Sequence, residues 1–222
     1  MYLRLSLFAF AICTAAKAAV VIQPDTATAS SSFSDLYFSP NNTINGSGLL
    51  GAVGSLPAHA PYATTVNPPG GNHWTTSGFY DPDEEWIQWG FSTPQTLNTI
   101  YIWNHQSNPP AYHTGYDVGD FTLTFYNSFN QQIGSIYSGT LAFDSNLPQA
   151  FDFGLRTFSS VRFDIDSVQS APYLSSNITG LAEVAFSNVP SRNRVPDDST
   201  SGLMLLFGLI STGLLSRKLR RV

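Results

Sequence analysis

From Val20 to Val189 the apolar residues alternate with polar ones instead of recurring at helical spacing. In DFTLTFYN (Asp120–Asn127), Phe121, Leu123 and Phe125 fall on one face and Thr122 and Thr124 on the other. That is the period of two expected of a half-buried strand. LNTIYIWN (Leu97–Asn104) sets Ile100 and Ile102 against Tyr101 and Trp103. WIQWGF (Trp86–Phe91) alternates and stops before Ser92-Thr93-Pro94, so it reads as a separate strand. QIGSIYSG, QAFDFG, FSSVRFDID and LAEVAFSN follow, bounded by turn residues. Seven or eight short strands with no helical crossover predict an all-β fold, an antiparallel jelly-roll β-sandwich of about eight strands.

One stretch breaks the rhythm. Ser39 to Tyr80 is dense in Gly, Pro and Asn, and is too long for an ordinary connection. It reads either as a functional loop region at one end of the sandwich or as a mobile insertion. No internal repeat and no second domain is visible, so the sandwich occupies residues 19–189.

The two ends differ in character from this body. MYLR supplies a positive charge, LSLFAFAICTAA an apolar stretch, and Ala16-Lys17-Ala18 small residues at the positions that a signal peptidase inspects. Residues 1–18 therefore read as a secretory signal, cut after Ala18 or Ala19. Its removal takes away Cys13, the only cysteine, and with it any disulfide or thiolate chemistry. At the other end, residues 190–201 have the Pro, Ser and charge content of a linker. The apolar run Gly202–Leu215 follows, covering about 21 Å as a helix, against a hydrocarbon core of ~30 Å. Arg217, Lys218, Arg220 and Arg221 would hold the C-terminus on the cytoplasmic side. Residues 202–222 thus form a short, marginal transmembrane segment with a basic end.

Charge narrows the function classes. Between Ala19 and Pro190 thirteen Asp and Glu stand against Arg156 and Arg162, with no lysine. Such a body repels phosphate backbones and anionic membrane surfaces, which excludes nucleic-acid binding. It suits neutral or cationic ligands, sugars and divalent metals among them.

Candidate chemistry concentrates in WNHQSNPPAYHTGYDVGD, where Trp103, Asn104, His105, Gln106, Asn108, Tyr112, His113 and Tyr116 lie close together. A neutral sugar is held by an aromatic face against its ring and by amides, imidazoles and hydroxyls on its hydroxyl groups. Asn104, His105, Tyr112, His113 and Tyr116 are the candidate ligand contacts. The alternative is an ordinary strand connection, in which Trp103 belongs to the core with its indole N–H satisfied by backbone. The acidic stretch Asp81-Pro-Asp-Glu-Glu85 reads as a solvated turn leading into Trp86, or as a cation site without helix–loop–helix spacing. The four histidines, His59, His73, His105 and His113, show no i, i+4 metalloprotease pairing. There is no Gly-x-Ser-x-Gly elbow, phosphate loop or dinucleotide fingerprint. A non-enzymatic role is expected.

Taken in order, ATASSSF, INGSG, HWTT, EWIQWGFSTPQTLNTIYIWN, GYDVGDFTLTFYN, RTFSSVRFDID and GLAEVAF resemble the discoidin or coagulation-factor C-type domains of the galactose-binding-like superfamily. The resemblance implies a non-catalytic module that binds sugars through loops at one end. It also implies a structural calcium, with Asn45 and Glu183 as ligands. The chain departs from the pattern in having Asn45-Gly46 where many members have Asp-Gly, and in placing Trp74 far downstream of Gly46. The last 28 residues, starting Val195-Pro196-Asp197, resemble the PEP-CTERM sorting tails of bacteria in their VPD variant. That implies handling by an exosortase in the inner membrane, cleavage at the motif, and delivery to the cell surface or extracellular matrix. The expected function is an exported protein that binds carbohydrate, an exopolysaccharide. The alternatives are a structural surface protein without a ligand pocket and a secreted hydrolase.

Overall fold

A computed structural model describes residues 20–63, 71–78, 84–108, 116–143, 145–169 and 178–191. The expected signal peptide, the Val195-Pro196-Asp197 motif and the apolar tail lie outside the described residues. Within them no helix is long and apolar enough to cross a membrane.

The regular elements in chain order are β1 (Val21–Ile22), β2 (Thr26–Ala29), β3 (Tyr62–Ala63), β4 (Trp74–Thr75), β5 (Trp86–Asn104), β6 (Ser107–Asn108), β7 (Asp117–Val118), β8 (Asp120–Tyr126), β9 (Tyr137–Thr140), β10 (Gln149–Ile165), β11 (Val168–Gln169) and β12 (Gly180–Ser187). Most belong to one curled sheet in the order β11-β7-β12-β5-β10-β8-β9, with β1 and β4 on β12 and β2 on β5. The all-β expectation holds, and the pairing is antiparallel except for the short β7–β12 and β3–β6 contacts.

The described residues hold twelve strands where about eight were expected, because six are two-residue strands that no alternation signals, while two expected breaks do not interrupt their strands. WIQWGF and LNTIYIWN join into the single 19-residue β5, and QAFDFG and FSSVRFDID into the 17-residue β10. The register between them slips between Phe158 and Ser160, where β5 passes from Gln95 to Gly90. Pro94 sits inside that slip, so its missing N–H interrupts no ladder bond. The first half of β5 pairs with β2, the second with β12, and the C-terminal half of β10 pairs with β8. Two bent strands therefore carry the sheet around its own core.

The alternation in β8 is as expected, with Phe121, Leu123 and Phe125 fully buried. Phe121 stacks on Phe163 at 4.7 Å between centroids, and Trp89 meets Phe163 and Phe186 edge-on. Aromatic pairs of this kind each add ~0.5–1.5 kcal/mol beyond burial. Ile100 and Ile102 join this core. Their neighbours Tyr101 and Trp103 face the opposite side, yet they too are buried, in a second cluster with Ala182 and Ala185. Leu49, Val53 and Leu56 of the long insertion pack against that cluster, and Trp103 Nε1 donates to Pro57 O at 2.8 Å. The insertion thus covers the outer face of β5 and β12. This is the core reading of Trp103.

The body also extends slightly past its expected end. Ser191 donates from its N–H and its hydroxyl to the two carboxylate oxygens of Asp152, at 3.0 and 2.9 Å.

Candidate functional site

The C-terminal end of β5 delivers Asn104 to a place where three backbone segments meet. Its Nδ2 donates to Val118 O at 2.9 Å and to Ala142 O at 3.3 Å. Its Oδ1 accepts from the N–H groups of His105 and Val118, each at 3.0 Å. Asn104 is 1% exposed, and these four bonds engage the full donor and acceptor capacity that a ligand would need. It therefore acts as a clamp on the loops around it.

His105 is buried as well, at 2% exposure. Its ring lies 4.8 Å from His73, which lies 4.9 Å from His59, and 5.4 Å from Tyr116. Burial lowers the pKa of His59, and that of His73 far more, since His105 and His59 also disfavour a charge there. The three rings form a floor of packed imidazoles beside Tyr116, which is only half-buried. The carbonyl of Tyr116 accepts from Gly180 N–H and Thr179 Oγ1, both at 3.0 Å. Of the sequence-expected contacts, Asn104, His105 and Tyr116 are brought together here, and only Tyr116 reaches solvent. Tyr112 and His113 lie outside the described residues.

His59 and His73 were missed as site residues by sequence reasoning. They were screened for helical metal spacing, whereas the insertion folds them onto the end of β5 as packing. Nothing in local spacing signals that meeting.

Both basic side chains of the body are engaged on aromatic rings. The Arg156 guanidinium sits 4.3 Å from the Phe125 centroid and donates to Ser135 O and Phe153 O. Arg162 sits 4.6 Å from Trp86 and pairs with Asp164 at 2.6 Å. Neither is left as an anchor for an acidic ligand.

Three carboxylates are buried among the described residues, Asp117 beside Tyr116, Glu85 and Glu183. Glu85 is 3% exposed, so this end of the acidic stretch is not the solvated turn read from sequence. It accepts from the hydroxyls of Ser30 and Ser31, while Asp81 and Asp83 lie outside the described residues. Glu183 on β12 is fully buried. Its Oε1 accepts from Gln23 Nε2 at 2.8 Å and its Oε2 from Gly46 N–H at 3.0 Å. Asn45 and Glu183 are therefore neighbours, as expected of a shared site. Calcium, however, takes six to eight oxygen ligands. Here each Glu183 oxygen faces an N–H, and Asn45 Oδ1 accepts from Ser47 N–H at 2.7 Å. The residues present do not fit a calcium cage, and among the described residues no group of three His, Cys, Asp or Glu is placed to hold a metal.

Burial pushes Glu183 up to about 8, against the opposing pull of its N–H donors. Between its ordinary value of 4.5 and about 8 the folded protein holds a proton that the unfolded chain has released, so stability falls as pH rises through this window. Urea denaturation should show a decline approaching ~1.4 kcal/mol per pH unit from this group, and Glu183→Gln should flatten it. A slope of the opposite sign in the wild type, removed by the same variant, would reverse the assignment.

No protein-family model matches the sequence, and no curated protein is similar to it. Solved structures are. An F5/8 type C domain from Bacteroides fragilis superposes with a TM-score of 0.53 at 16% identity, covering 79% of this chain and 99% of that one. The CBM32 of AlyQ in complex with 4,5-unsaturated mannuronic acid gives 0.49 at 16% identity, covering 75% and 97%. The family 32 carbohydrate-binding module of Clostridium perfringens NanJ in complex with galactose gives 0.46 at 12% identity, covering 76% and 99%. The sheet order and the superposition on the Bacteroides domain together identify the fold of the body as discoidin-like.

Proposed function

We propose that the body is a non-catalytic carbohydrate-binding domain that takes a neutral polysaccharide at the loop end where β5 terminates. The observation that carries this reading is the rigid platform there, in which the Asn104 clamp and buried imidazoles hold Tyr116 half-exposed. A rigid aromatic presents a face to a sugar ring at low entropic cost. Tyr112 and His113, nearby in the sequence, are assigned a second aromatic face and ring hydrogen bonds by their side-chain chemistry, while His105 packs against Tyr116. The acidic body, with both arginines engaged on aromatic rings, favours neutral sugars over acidic ones. The similar solved modules include one in complex with galactose and one with an unsaturated mannuronic acid, both carbohydrates, while the preference for neutral sugars rests on charge alone.

Binding to a glycan array and to immobilised exopolysaccharide tests the reading. Tyr116→Ala should weaken binding by about tenfold, equivalent to ~1.4 kcal/mol, with the unfolding midpoint little changed. Tyr112→Ala with His113→Ala should do the same. If no neutral glycan binds, with or without calcium, the domain is a structural surface protein.

The same proposal places the mature domain outside the cell. The signal sequence of residues 1–18 directs export and meets a signal peptidase. The tail from Val195 holds the chain in the inner membrane until an exosortase cuts at Val195-Pro196-Asp197, releasing the acidic body to the cell surface or matrix. Mass spectrometry of the surface form tests this. A C-terminus near Asp197 is expected, and an intact Val222 terminus would make the tail a permanent anchor.

A further inference from the structure

The turn at Asn45–Ser47 and strand β12 meet at Glu183, where a resemblance to discoidin-type domains implies a cation that the residues do not fit. We propose that this chain closes the junction with hydrogen bonds from its own amides, so that its stability is independent of calcium.

Two N–H groups converge on the carboxylate, one on each oxygen: Gln23 Nε2 at 2.8 Å and Gly46 N–H at 3.0 Å. Each is the positive end of a dipole aimed at a lone pair that a calcium ion would need. They take up about half of the carboxylate's lone-pair directions, and the six to eight oxygens that calcium needs would have to come from neighbours that are themselves engaged. Gln23 and Gly46 come from separate segments of the chain. Gln23 follows β1, which pairs with β12, and Gly46 lies in the turn beyond Pro40–Thr43. The φ of +71° at Gly46 is the left-handed conformation that a side chain would strain.

The oxygens nearby are engaged in the same fashion. Asn45 Oδ1 is held by Ser47 N–H, and Asn45 Nδ2 faces Asn42 Oδ1 at 3.5 Å. Asn42 Nδ2 donates to Tyr37 O and His73 O, at 2.9 and 2.8 Å. The turn is thereby tied by amides to β12, to Tyr37 and to the segment that carries His73. Charge points the same way. With asparagine at position 45, Glu183 is the one carboxylate of the junction among the described residues, and calcium affinity falls with the number of charged ligands.

Thermal unfolding of the full-length protein in mild detergent, with millimolar calcium chloride or with a chelator, decides the matter. The wild-type midpoint should agree within ~1 °C between the two conditions, because a ligand that does not bind the folded state cannot shift it. Gln23→Ala should lower the midpoint by about 4 °C or more, equally in both conditions. A micromolar calcium site would instead raise the wild-type midpoint by about 10 °C. A rise of that kind that Glu183→Gln abolishes would overturn the proposal, as would a Gln23→Ala variant with an unchanged midpoint. A rise that persists in Glu183→Gln would place the ion elsewhere and would equally overturn the calcium independence of the fold.

Discussion

Replacing Gly180 with alanine is expected to destabilise the domain by more than ~3 kcal/mol, beyond the usual range for one added methyl group. An added Cβ would stand 2.0 Å from Trp74 O and 3.0 Å from Thr75 Cα. Both are backbone atoms of β4, which cannot rotate away as a side chain would. To make room, β4 must leave β12, breaking the Gly180–Thr75 and Leu181–Trp74 pairing. The bond from Thr76 N–H to Thr179 O at 2.8 Å goes with it. Trp74, fully buried and donating its indole N–H to Ser31 O, would lose its place as well. Urea denaturation measures the effect directly. A loss below ~0.5 kcal/mol would mean that β4 yields freely and contributes little to the fold.

Asn104→Ala should come next in size, at about 3–5 kcal/mol, because it removes four hydrogen bonds to buried backbone worth ~1 kcal/mol each. The variant should also lose polysaccharide binding, since the connections at His105, Val118 and Ala142 are no longer fixed beside Tyr116. Thermal melting and binding to immobilised polysaccharide at low temperature, measured on the same sample, separate two roles. A clamp lowers both stability and affinity. Normal stability with lost affinity would instead make Asn104 a direct ligand contact, the role that sequence reasoning assigned to it.

That contrast shows how far the candidate site was legible. The loop from Trp103 to Tyr116 stood out by composition, and its start does lie at the end of the sheet with an aromatic platform. Residue type alone could not separate a group that faces a ligand from one that faces backbone. An asparagine amide has the same four hydrogen-bonding positions in either setting. Asn104 and His105 are buried, and the reason lies in Val118, Ala142 and His73, which local sequence does not bring near them. The acidic stretch was misjudged at Glu85 for a similar reason. Its solvation depends on Ser30 and Ser31, some 55 positions away.

The fold was legible in proportion to how local its determinants are. The alternation in β8 and in the second half of β5 assigned faces correctly, because side chains of a strand point to opposite sides whatever the strand later pairs with. The joining of two expected strands into β5 was not visible. Pro94 ends a strand only where its nitrogen is needed by a partner, and the register slip against β10 removes that need.

By itself, then, the sequence determined the class of the fold, the inward faces of its strands, the acidic and cysteine-free character of the body, and the segments that differ from it at either end. These follow from periodicity and composition, which are properties of neighbouring residues. Tertiary structure alone decided that the insertion covers the outer face of β5 and β12, burying Tyr101 and Trp103, and that three histidines from separate segments pack into one floor. It also decided that Glu183 meets Gln23 and Gly46, 160 and 137 positions away in the chain, as N–H donors. Contacts over such separations depend on how the whole sheet curls, and no local pattern records them.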